Sequence, residues 1–338
     1  MTIRSLAAAL LAAGTAFGAP SVANAADPPA SAVVLLYYRF GEDRNPTSSI
    51  RLDQFEAHIA ELAAGRYRVM PLADIVEAFR SGKPLPPRAI AITIDGGYAS
   101  TYREAWPRLR AAKLPFTVFV APETADRGGE NFVGWDALRE MRATGASIGI
   151  TTTGTLRPNV KPEDLARLRE RAKEKLGAAP TLFAYVGGEF SAATKKALGE
   201  AGYAAAFGQQ QGAAHAGQDA LSLPRFALAQ NFGDLPRFQR VIASLPLPIS
   251  DLSPVDTTIS TNPPLVGFTV EGVSGLDKLS CSASHESAGL KVEILGDTRV
   301  EIRMNRPFPP GRGRITCTMT GPEGRLRWLG LPFYVAGS

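Results

Sequence analysis

The chain has 338 residues, of which 45% are hydrophobic and 20% charged. That length and composition suffice for two domains with separate cores. The formal net charge is +5, but basic residues are scattered among acidic ones. The absence of a basic block argues against nucleic acid as a partner, whereas an anionic cell-envelope polymer is compatible with the charge.

The amino terminus has the pattern of a secretory signal peptide over residues 1–25. Arg4 supplies the charged region, Leu6–Phe17 an apolar stretch, and the Ala-Asn-Ala at residues 23–25 a cleavage site. The alternative is a membrane anchor that stays attached, but the apolar run is short for a transmembrane span. No other segment approaches that length. We therefore expect an exported protein, periplasmic or secreted, without a transmembrane segment after signal removal.

The segment Arg88–Val120 predicts a βαβ unit. A buried strand over Ala89–Ile94 is followed by an acidic residue, a Gly-Gly turn, an amphipathic helix and a second buried strand over Phe116–Val120. In such units the chemistry collects at the carboxyl ends of the strands. Asp95 occupies that position and is the first candidate for a functional residue.

The sequence Thr-Ile-Asp-Gly-Gly-Tyr at residues 93–98 resembles the opening motif of the NodB-like polysaccharide deacetylases, carbohydrate esterase family 4. That family has Thr-Phe-Asp-Asp-Gly-Tyr, so one aspartate of the pair is replaced by Gly96. An early Tyr-His-Arg-Phe segment of related proteins is also matched, with Tyr38 in place of the histidine. Further along the chain, the two histidines of the family's second motif correspond to Thr151 and Thr155.

A third similarity lies at Phe183–Phe190, where the family's Pro-Tyr pair is replaced by Val186-Gly187, and a Leu-Pro-Arg segment ends at Arg225. The resemblance spans about Ser31–Leu245. It implies an α/β fold, an irregular NodB-type (β/α)7 barrel.

The resemblance also implies a cofactor, because the family holds a divalent metal such as zinc with one aspartate and two histidines, and uses the other aspartate as base. Here the three ligand positions are Gly96, Thr151 and Thr155. A neutral threonine hydroxyl does not replace an imidazole in such a site. The three histidines in the chain show no ligand spacing. We therefore predict a degenerate metal site and no metal cofactor.

The remaining candidates for acid–base chemistry are Asp95 as base and His215 as acid. Asp95 could equally be a strand-end carboxylate held by backbone amides of the following Gly-Gly turn. His215 could be a solvated loop residue, and His58 is interpreted as a partly packed helix residue. From the family's motifs we predict substrate contacts at four positions: Tyr98, Tyr185, Glu189 and Arg225.

The carboxyl-terminal part is predicted to be an immunoglobulin-like β-sandwich over residues 265–338, joined by a Pro-rich linker at residues 246–264 to a deacetylase-like domain at residues 26–245. Cys281 and Cys317 lie in two of its alternating strands. An even cysteine count in an exported chain favours a disulfide, and two buried free thiols are the alternative. Trp328, Phe333 and Tyr334 are either a sugar-stacking platform or core residues.

These observations favour a pseudoenzyme of the cell envelope, either a glycan-binding protein or a scaffold, whose partner is an envelope polysaccharide or oligosaccharide. The alternative is an active deacetylase that removes N-acetyl groups from a polysaccharide containing N-acetylglucosamine. A third interpretation makes the barrel structural and gives partner binding to the carboxyl-terminal domain, through a protein partner.

Overall fold

A computed structural model describes residues 30–336 of the chain. The predicted signal peptide, residues 1–25, lies outside the described residues. Within residues 30–336, no helix combines the length and apolar character needed to cross a bilayer.

The first half of the protein is built on a curled, nine-stranded sheet whose central strands are parallel in the order β1-β5-β6-β7-β8-β9. Strand β10 pairs antiparallel with β1, while β11 and β4 add to β1 and β5. A separate pair is formed by β2 and β3. The strands are β1 Ser31–Tyr37, β2 Arg39–Phe40, β3 Ser49–Ile50, β4 Arg68–Val69, β5 Ala89–Asp95, β6 Thr117–Val120, β7 Ser147–Ile150, β8 Leu182–Ala184, β9 Ala205–Phe207, β10 Ala214–His215 and β11 Phe226–Ala227.

Eight helices accompany this sheet. They are α1 Leu52–Ala63, α2 Leu72–Ser81, α3 Trp106–Ala111, α4 Pro122–Arg127, α5 Trp135–Ala143, α6 Pro162–Leu176, α7 Ala192–Glu200 and α8 Leu235–Ile242. A π-helical turn, Thr101–Ala105, leads into α3. The predicted βαβ unit is therefore confirmed, with β5 ending at Asp95 and β6 following α3.

Strands β1, β5 and β6 are buried along almost their whole length. Their near-continuous apolar sequences suit strands covered on both faces, as parallel sheets require. One cluster of buried side chains, which includes Leu35, Ile92 and Val118, fills the space between the sheet and the helices. The predicted α/β barrel is confirmed.

His58 on α1 is more deeply buried than the partly packed helix residue predicted from the sequence. It is fully shielded from solvent, and its ring stacks on Phe238 of α8 at a centroid distance of 3.7 Å. Its Nε2 lies 2.9 Å from the carbonyl oxygen of Gly233, and its Nδ1 lies 3.0 Å from the hydroxyl oxygen of Tyr37. Because a carbonyl oxygen only accepts, Nε2 carries the proton and Nδ1 accepts from Tyr37. His58 is therefore a neutral core residue.

The second half of the described chain is a sandwich of two four-stranded sheets, in the orders β12-β19-β18-β15 and β13-β14-β17-β16. All pairs are antiparallel except β12 with β19, which is parallel. A second core between the sheets contains Phe268, Ile302 and Leu331. The strands are β12 Leu245–Pro246, β13 Ile249–Ser253, β14 Val266–Val270, β15 Ser280–Ala283, β16 Lys291–Leu295, β17 Arg299–Arg303, β18 Gly311–Thr320 and β19 Leu326–Val335.

The predicted antiparallel sandwich is thus confirmed, but its first strands begin earlier than the sequence suggests. Strands β12 and β13 lie in the segment predicted as linker and pair with β19 and β14. Pro246 is tolerated in β12 because that strand lies at a sheet edge. Cys281 and Cys317 lie directly opposite each other on β15 and β18 and form a disulfide, with a Cα–Cα distance of 4.0 Å.

The burial of His58 predicts that stability falls with acidity. Burial lowers the pKa of His58 from 6.5 to about 4, so between these pH values the imidazole is protonated in the unfolded chain and neutral in the folded chain. The stability that the neutral imidazole contributes is fully present above pH 6.5 and is lost as pH falls towards 4. It amounts to at most about 3 kcal/mol. Urea unfolding at a series of pH values should show this slope, and His58→Gln should flatten it between pH 6.5 and 4. An unchanged slope would contradict the role assigned to His58.

Removal of the disulfide should destabilise the sandwich. The bridge closes a loop with a sequence separation of 36 residues, and the chain-entropy relation then gives about 3–4 kcal/mol. We expect Cys281→Ala with Cys317→Ala to lower the free energy of unfolding of the sandwich by that amount in a guanidinium titration followed by circular dichroism. The unaltered protein under reducing conditions serves as the matched control and should shift similarly. No shift in either sample would contradict the expectation.

Candidate active-site mouth of the barrel

Asp95 is the last residue of β5 and stands at the carboxyl edge of the sheet, followed by a tight glycine turn. Gly96 and Gly97 both adopt positive φ values, +92° and +57°. A Cβ built on Gly96 would lie 2.6 Å from Cε2 of the Tyr98 ring, and one on Gly97 would lie 2.8 Å from Cγ1 of Val120. The turn therefore depends on glycine at both positions, and an aspartate at position 96 would have to displace the Tyr98 ring.

Asp95 forms a bidentate ion pair with Arg225, which is completely buried. Its two carboxylate oxygens accept from Nη1 and Nη2 of the guanidinium, each at 2.7 Å. The guanidinium also donates from Nη1 to the hydroxyl of Thr93 at 3.1 Å and from Nε to the carbonyl oxygen of Gly208 at 2.9 Å. The partner of Asp95 is therefore an arginine side chain, and not the turn amides that the sequence analysis considered.

This pair also fixes the role of Arg225. We predicted a substrate contact for it, but its exposed fraction is 0%, so it cannot reach a polysaccharide from the core. Burial raises the pKa of Asp95, and the adjacent guanidinium opposes that rise. Arg225 is a positioning residue that holds the Asp95 carboxylate in one orientation.

The positions that match the family's metal ligands have other environments. Thr151 is buried, and its hydroxyl donates to the carbonyl oxygen of Ala184 at 2.7 Å. Thr155 is exposed and does not line the cavity beside Asp95. Throughout residues 30–336, no group of three histidine, cysteine, aspartate or glutamate side chains is arranged to hold a metal ion.

A cavity of about 230 Å³ opens beside Asp95. Its lining includes Tyr38, Tyr98, Arg127, Phe132 and Thr151. Tyr98 stacks on Phe132 with a centroid distance of 5.5 Å, and the guanidinium carbon of Arg39 lies 3.6 Å from the centre of its ring. Tyr98 therefore lines the cavity beside Asp95, and its contact with a substrate stays a prediction.

Tyr38, at the position of the family's early histidine, contributes a hydroxyl to this cavity. The hydroxyl accepts a hydrogen bond from Nε2 of Gln209, which follows β9. Burial raises the pKa of Tyr38, and the negative charge of Asp95 raises it further. The side chain is therefore a neutral phenol that can offer a hydrogen bond to a bound molecule.

The structure does not bring His215 to Asp95. His215 lies on β10 and pairs with Ser31 at the start of β1, whereas Asp95 is at the far end of the neighbouring strand β5. On β1, Ala32 follows Ser31 and pairs with Ala89 of β5. Asp95 lies six residues beyond Ala89, which is about 20 Å along the strand. His215 is also buried, with Nδ1 2.8 Å from the carbonyl oxygen of Ala216. The predicted pairing of an Asp95 base with a His215 acid is therefore wrong.

Two other predicted substrate contacts are also placed elsewhere. Tyr185 is 1% exposed, and its hydroxyl donates to the carbonyl oxygen of Leu221 at 2.8 Å, so it is a core residue. Glu189 faces the sandwich and pairs with Arg312 of β18. Of the predicted aromatic platform, Phe333 is buried and Trp328 packs edge-on against Phe226 of the barrel. Tyr334, 37% exposed, is the most accessible of the three.

The geometry of the sheet and its mouth defines a curled α/β barrel of the NodB type. Residues 82–206, from the segment before β5 to within β9, match the family model described as polysaccharide deacetylase. Over these residues the barrel is therefore similar to the polysaccharide deacetylase family.

Among curated proteins, the chain is similar to the poly-beta-1,6-N-acetyl-D-glucosamine N-deacetylase of Escherichia coli K12. The two are 28% identical over an alignment 231 residues long, and the match covers 54% of this chain and 34% of the relative. The chain thus spans about a third of the length of that relative.

Solved structures with the same fold include a Streptococcus pyogenes deacetylase in complex with acetate. It has a TM-score of 0.57 and 17% identity, and the match covers 64% of this chain and 99% of that one. The IcaB protein of Ammonifex degensii has a TM-score of 0.54 and 24% identity, with coverage of 63% and 97%. At these identities the structures establish the fold of the barrel.

The buried ion pair predicts strong coupling between its two partners. Arg225→Met should lower the free energy of unfolding by about 3–5 kcal/mol, because it leaves the Asp95 carboxylate buried without a counter-charge. Adding Asp95→Asn should recover part of that loss, since no charge then remains. Chemical denaturation of both single variants and the double variant measures the coupling. Arg306→Met, on an exposed loop, is the control and should change stability by less than about 0.5 kcal/mol. Additive single effects would contradict the prediction.

Proposed function

We propose that this chain is an exported glycan-binding protein of the cell envelope, in which a polysaccharide deacetylase barrel binds sugar without metal-dependent hydrolysis. The observation that carries the proposal is the state of Asp95, the only acidic side chain lining the mouth cavity beside the family's ligand positions. Both of its oxygens are engaged by Arg225.

The donors at the mouth do not fit the metal that the family implies. Zinc and similar ions are held by imidazole, thiolate and carboxylate groups. Here the neighbouring positions offer a glycine and a threonine whose hydroxyl already donates to Ala184. A cation would also meet the positive charge of Arg225 directly behind the Asp95 carboxylate. We infer that the metal site is degenerate, and we derive no step through a metal.

The mouth nevertheless retains groups that suit a carbohydrate. The Tyr98 and Phe132 rings offer apolar surface, and the phenol of Tyr38 offers a hydrogen bond. Aromatic rings combined with neutral polar groups match the alternating apolar faces and hydroxyls of a sugar. The cavity beside Asp95 is therefore assigned to a sugar unit of an envelope polysaccharide.

The domain organisation and localisation form part of the same proposal. Residues 1–25 would be the signal peptide, residues 26–245 the barrel domain and residues 265–338 the sandwich, with residues 246–264 between them also supplying the edge strand β13 of the sandwich. Two separate buried cores support the division. Export would place the protein in the periplasm or outside the cell, where a disulfide is stable.

The second candidate is an active deacetylase acting on a polysaccharide that contains N-acetylglucosamine. The observation that favours it is the name of the Escherichia coli relative, which is a poly-beta-1,6-N-acetyl-D-glucosamine N-deacetylase. This candidate requires a nucleophile generated by some group other than the Asp95–His215 pair, because those residues lie at opposite ends of the sheet.

Two assays distinguish the glycan-binding function from the deacetylase function. Binding of the N-acetylglucosamine tetramer is measured by calorimetry in the presence of EDTA, and acetate release from the same tetramer is measured with added zinc, cobalt or nickel. We expect binding that EDTA does not affect and no acetate release. Acetate release that depends on the metal would overturn the proposal in favour of the deacetylase.

A pair of tyrosine variants locates the binding. Tyr98→Ala should weaken tetramer binding by roughly threefold to tenfold, the range for one aromatic contact. Tyr67→Ala is the matched control, because Tyr67 is also a half-buried tyrosine beneath an arginine, Arg88, but lies away from the mouth. Equal effects of the two variants would place the sugar elsewhere.

A further inference from the structure

A second groove of about 430 Å³ lies where the barrel meets the sandwich. Its barrel wall consists of residues 187–190, residues 209–211 and part of the segment that leads into α8, and its sandwich wall consists of the ends of β18 and β19. The groove is therefore formed only when both parts of the chain are docked together.

Arg312 of β18 reaches across this groove to the barrel. It pairs with Glu189, and its guanidinium lies on Gly187, where a Cβ would overlap it. Gly187 stands at the second position of the Pro-Tyr pair in the resembled motif, so the sandwich arginine occupies the space beside a residue without a side chain. The same Gly187 also lines the cavity beside Asp95, so the groove and the mouth of the barrel adjoin at this residue.

The groove carries more positive than negative charge. Three arginines line it, Arg237, Arg312 and Arg314, against one carboxylate, Glu189. Arg312 and Arg314 are two residues apart on β18, so their side chains leave the strand on the same face. Arg314 is exposed, and within residues 30–336 its side chain forms no ion pair.

Arg237 lies across the groove from Arg314. Partial burial lowers the pKa of Arg237, Asp234 opposes that shift, and the charges of Arg240 and Arg314 add to it. Because guanidinium groups stay charged at neutral pH, two like charges face each other with only Glu189 as a lining acid, and that acid is engaged by Arg312. An anion bound between them would relieve this repulsion.

The walls also offer contacts that suit a sugar. Tyr334 lies opposite Arg312 in the β18–β19 pairing and is 37% exposed, while Phe232 on the barrel side is 55% exposed. Gln209, Gln211 and Ser284 add neutral hydrogen-bonding groups. Exposed aromatic rings beside unpaired guanidinium groups match a chain of sugar rings that bear acidic substituents.

We propose that the groove between barrel and sandwich binds an anionic polysaccharide, whose carboxylate or sulfate groups are held by Arg237 and Arg314. The inference rests on the proposed glycan-binding function and specifies its ligand class. The polymer runs from the groove towards the cavity beside Asp95, past Gly187. Arg312 holds the two walls together through Glu189.

The test compares three tetrasaccharides with the whole chain by calorimetry in EDTA: tetragalacturonate, a sulfated heparin-derived tetrasaccharide, and the neutral N-acetylglucosamine tetramer. We expect at least one acidic tetrasaccharide to bind about tenfold more tightly than the neutral one, and to lose affinity as salt is raised. The two acidic probes distinguish carboxylate from sulfate recognition.

Two variants that each remove one arginine charge test whether the groove is the binding site. Arg314→Gln should weaken binding of the acidic tetrasaccharide by about tenfold, which corresponds to one charge-assisted hydrogen bond. Arg306→Gln is the matched control, since Arg306 is also an exposed sandwich arginine but lies outside the groove, and it should leave affinity unchanged. Arg312 is left intact, because its loss would leave Glu189 unpaired at the interface.

The outcomes separate this inference from the proposed function. Equal binding of neutral and acidic tetrasaccharides, or equal effects of Arg314→Gln and Arg306→Gln, would overturn the anionic-ligand inference while glycan binding stands. If no tetrasaccharide binds, both the inference and the glycan-binding function are overturned. Near-ultraviolet circular dichroism identical to that of the unaltered protein excludes misfolding as the cause of lost binding in Arg314→Gln.

Discussion

The buried ion pair between Asp95 and Arg225 is the interaction on which the mouth of the barrel depends. The guanidinium binds the end of β5 through Asp95 and the segment after β9 through the carbonyl of Gly208. It also contacts the hydroxyl of Thr93, which in turn donates to the carbonyl of Leu35 on β1 at 2.6 Å. One side chain thus bridges distant strands of an incompletely closed sheet. A buried ion pair is stable at this position only because its hydrogen-bonding groups have partners.

This constraint underlies the proposal that the mouth binds a glycan without a metal. The carboxylate that the family motif places at the strand end is neutralised from behind, and the threonine beside it is satisfied by a carbonyl of β8. What remains accessible is a small cavity of aromatic rings, a phenol and glycine backbone. These groups are the basis of the proposal that the mouth holds a sugar unit.

The docking of the sandwich against the barrel extends the site beyond the mouth. Arg325 donates from Nε to the carbonyl of Ala243 at 2.7 Å, and Trp328 packs against Phe226, so the two parts share hydrogen bonds as well as apolar contacts. This docking brings Arg312 onto Gly187 and creates a groove with a positive charge excess. In the proposed function, the sandwich therefore forms one wall of the ligand groove, and its arginines favour an anionic ligand.

Local patterns in the sequence determined the barrel strands, the position of Asp95 at a strand end, the glycine turn and the strands that carry the two cysteines. These features follow from apolar runs, period-two alternation and glycine placement, all of which act over a few residues. Only the tertiary structure decided that Arg225 is the partner of Asp95, 130 residues away, that His215 lies at the opposite edge, and that Arg312 faces the barrel. These long-range contacts depend on how the sheet curls and how the two cores dock. Neither can be predicted from the spacing of residues along the chain.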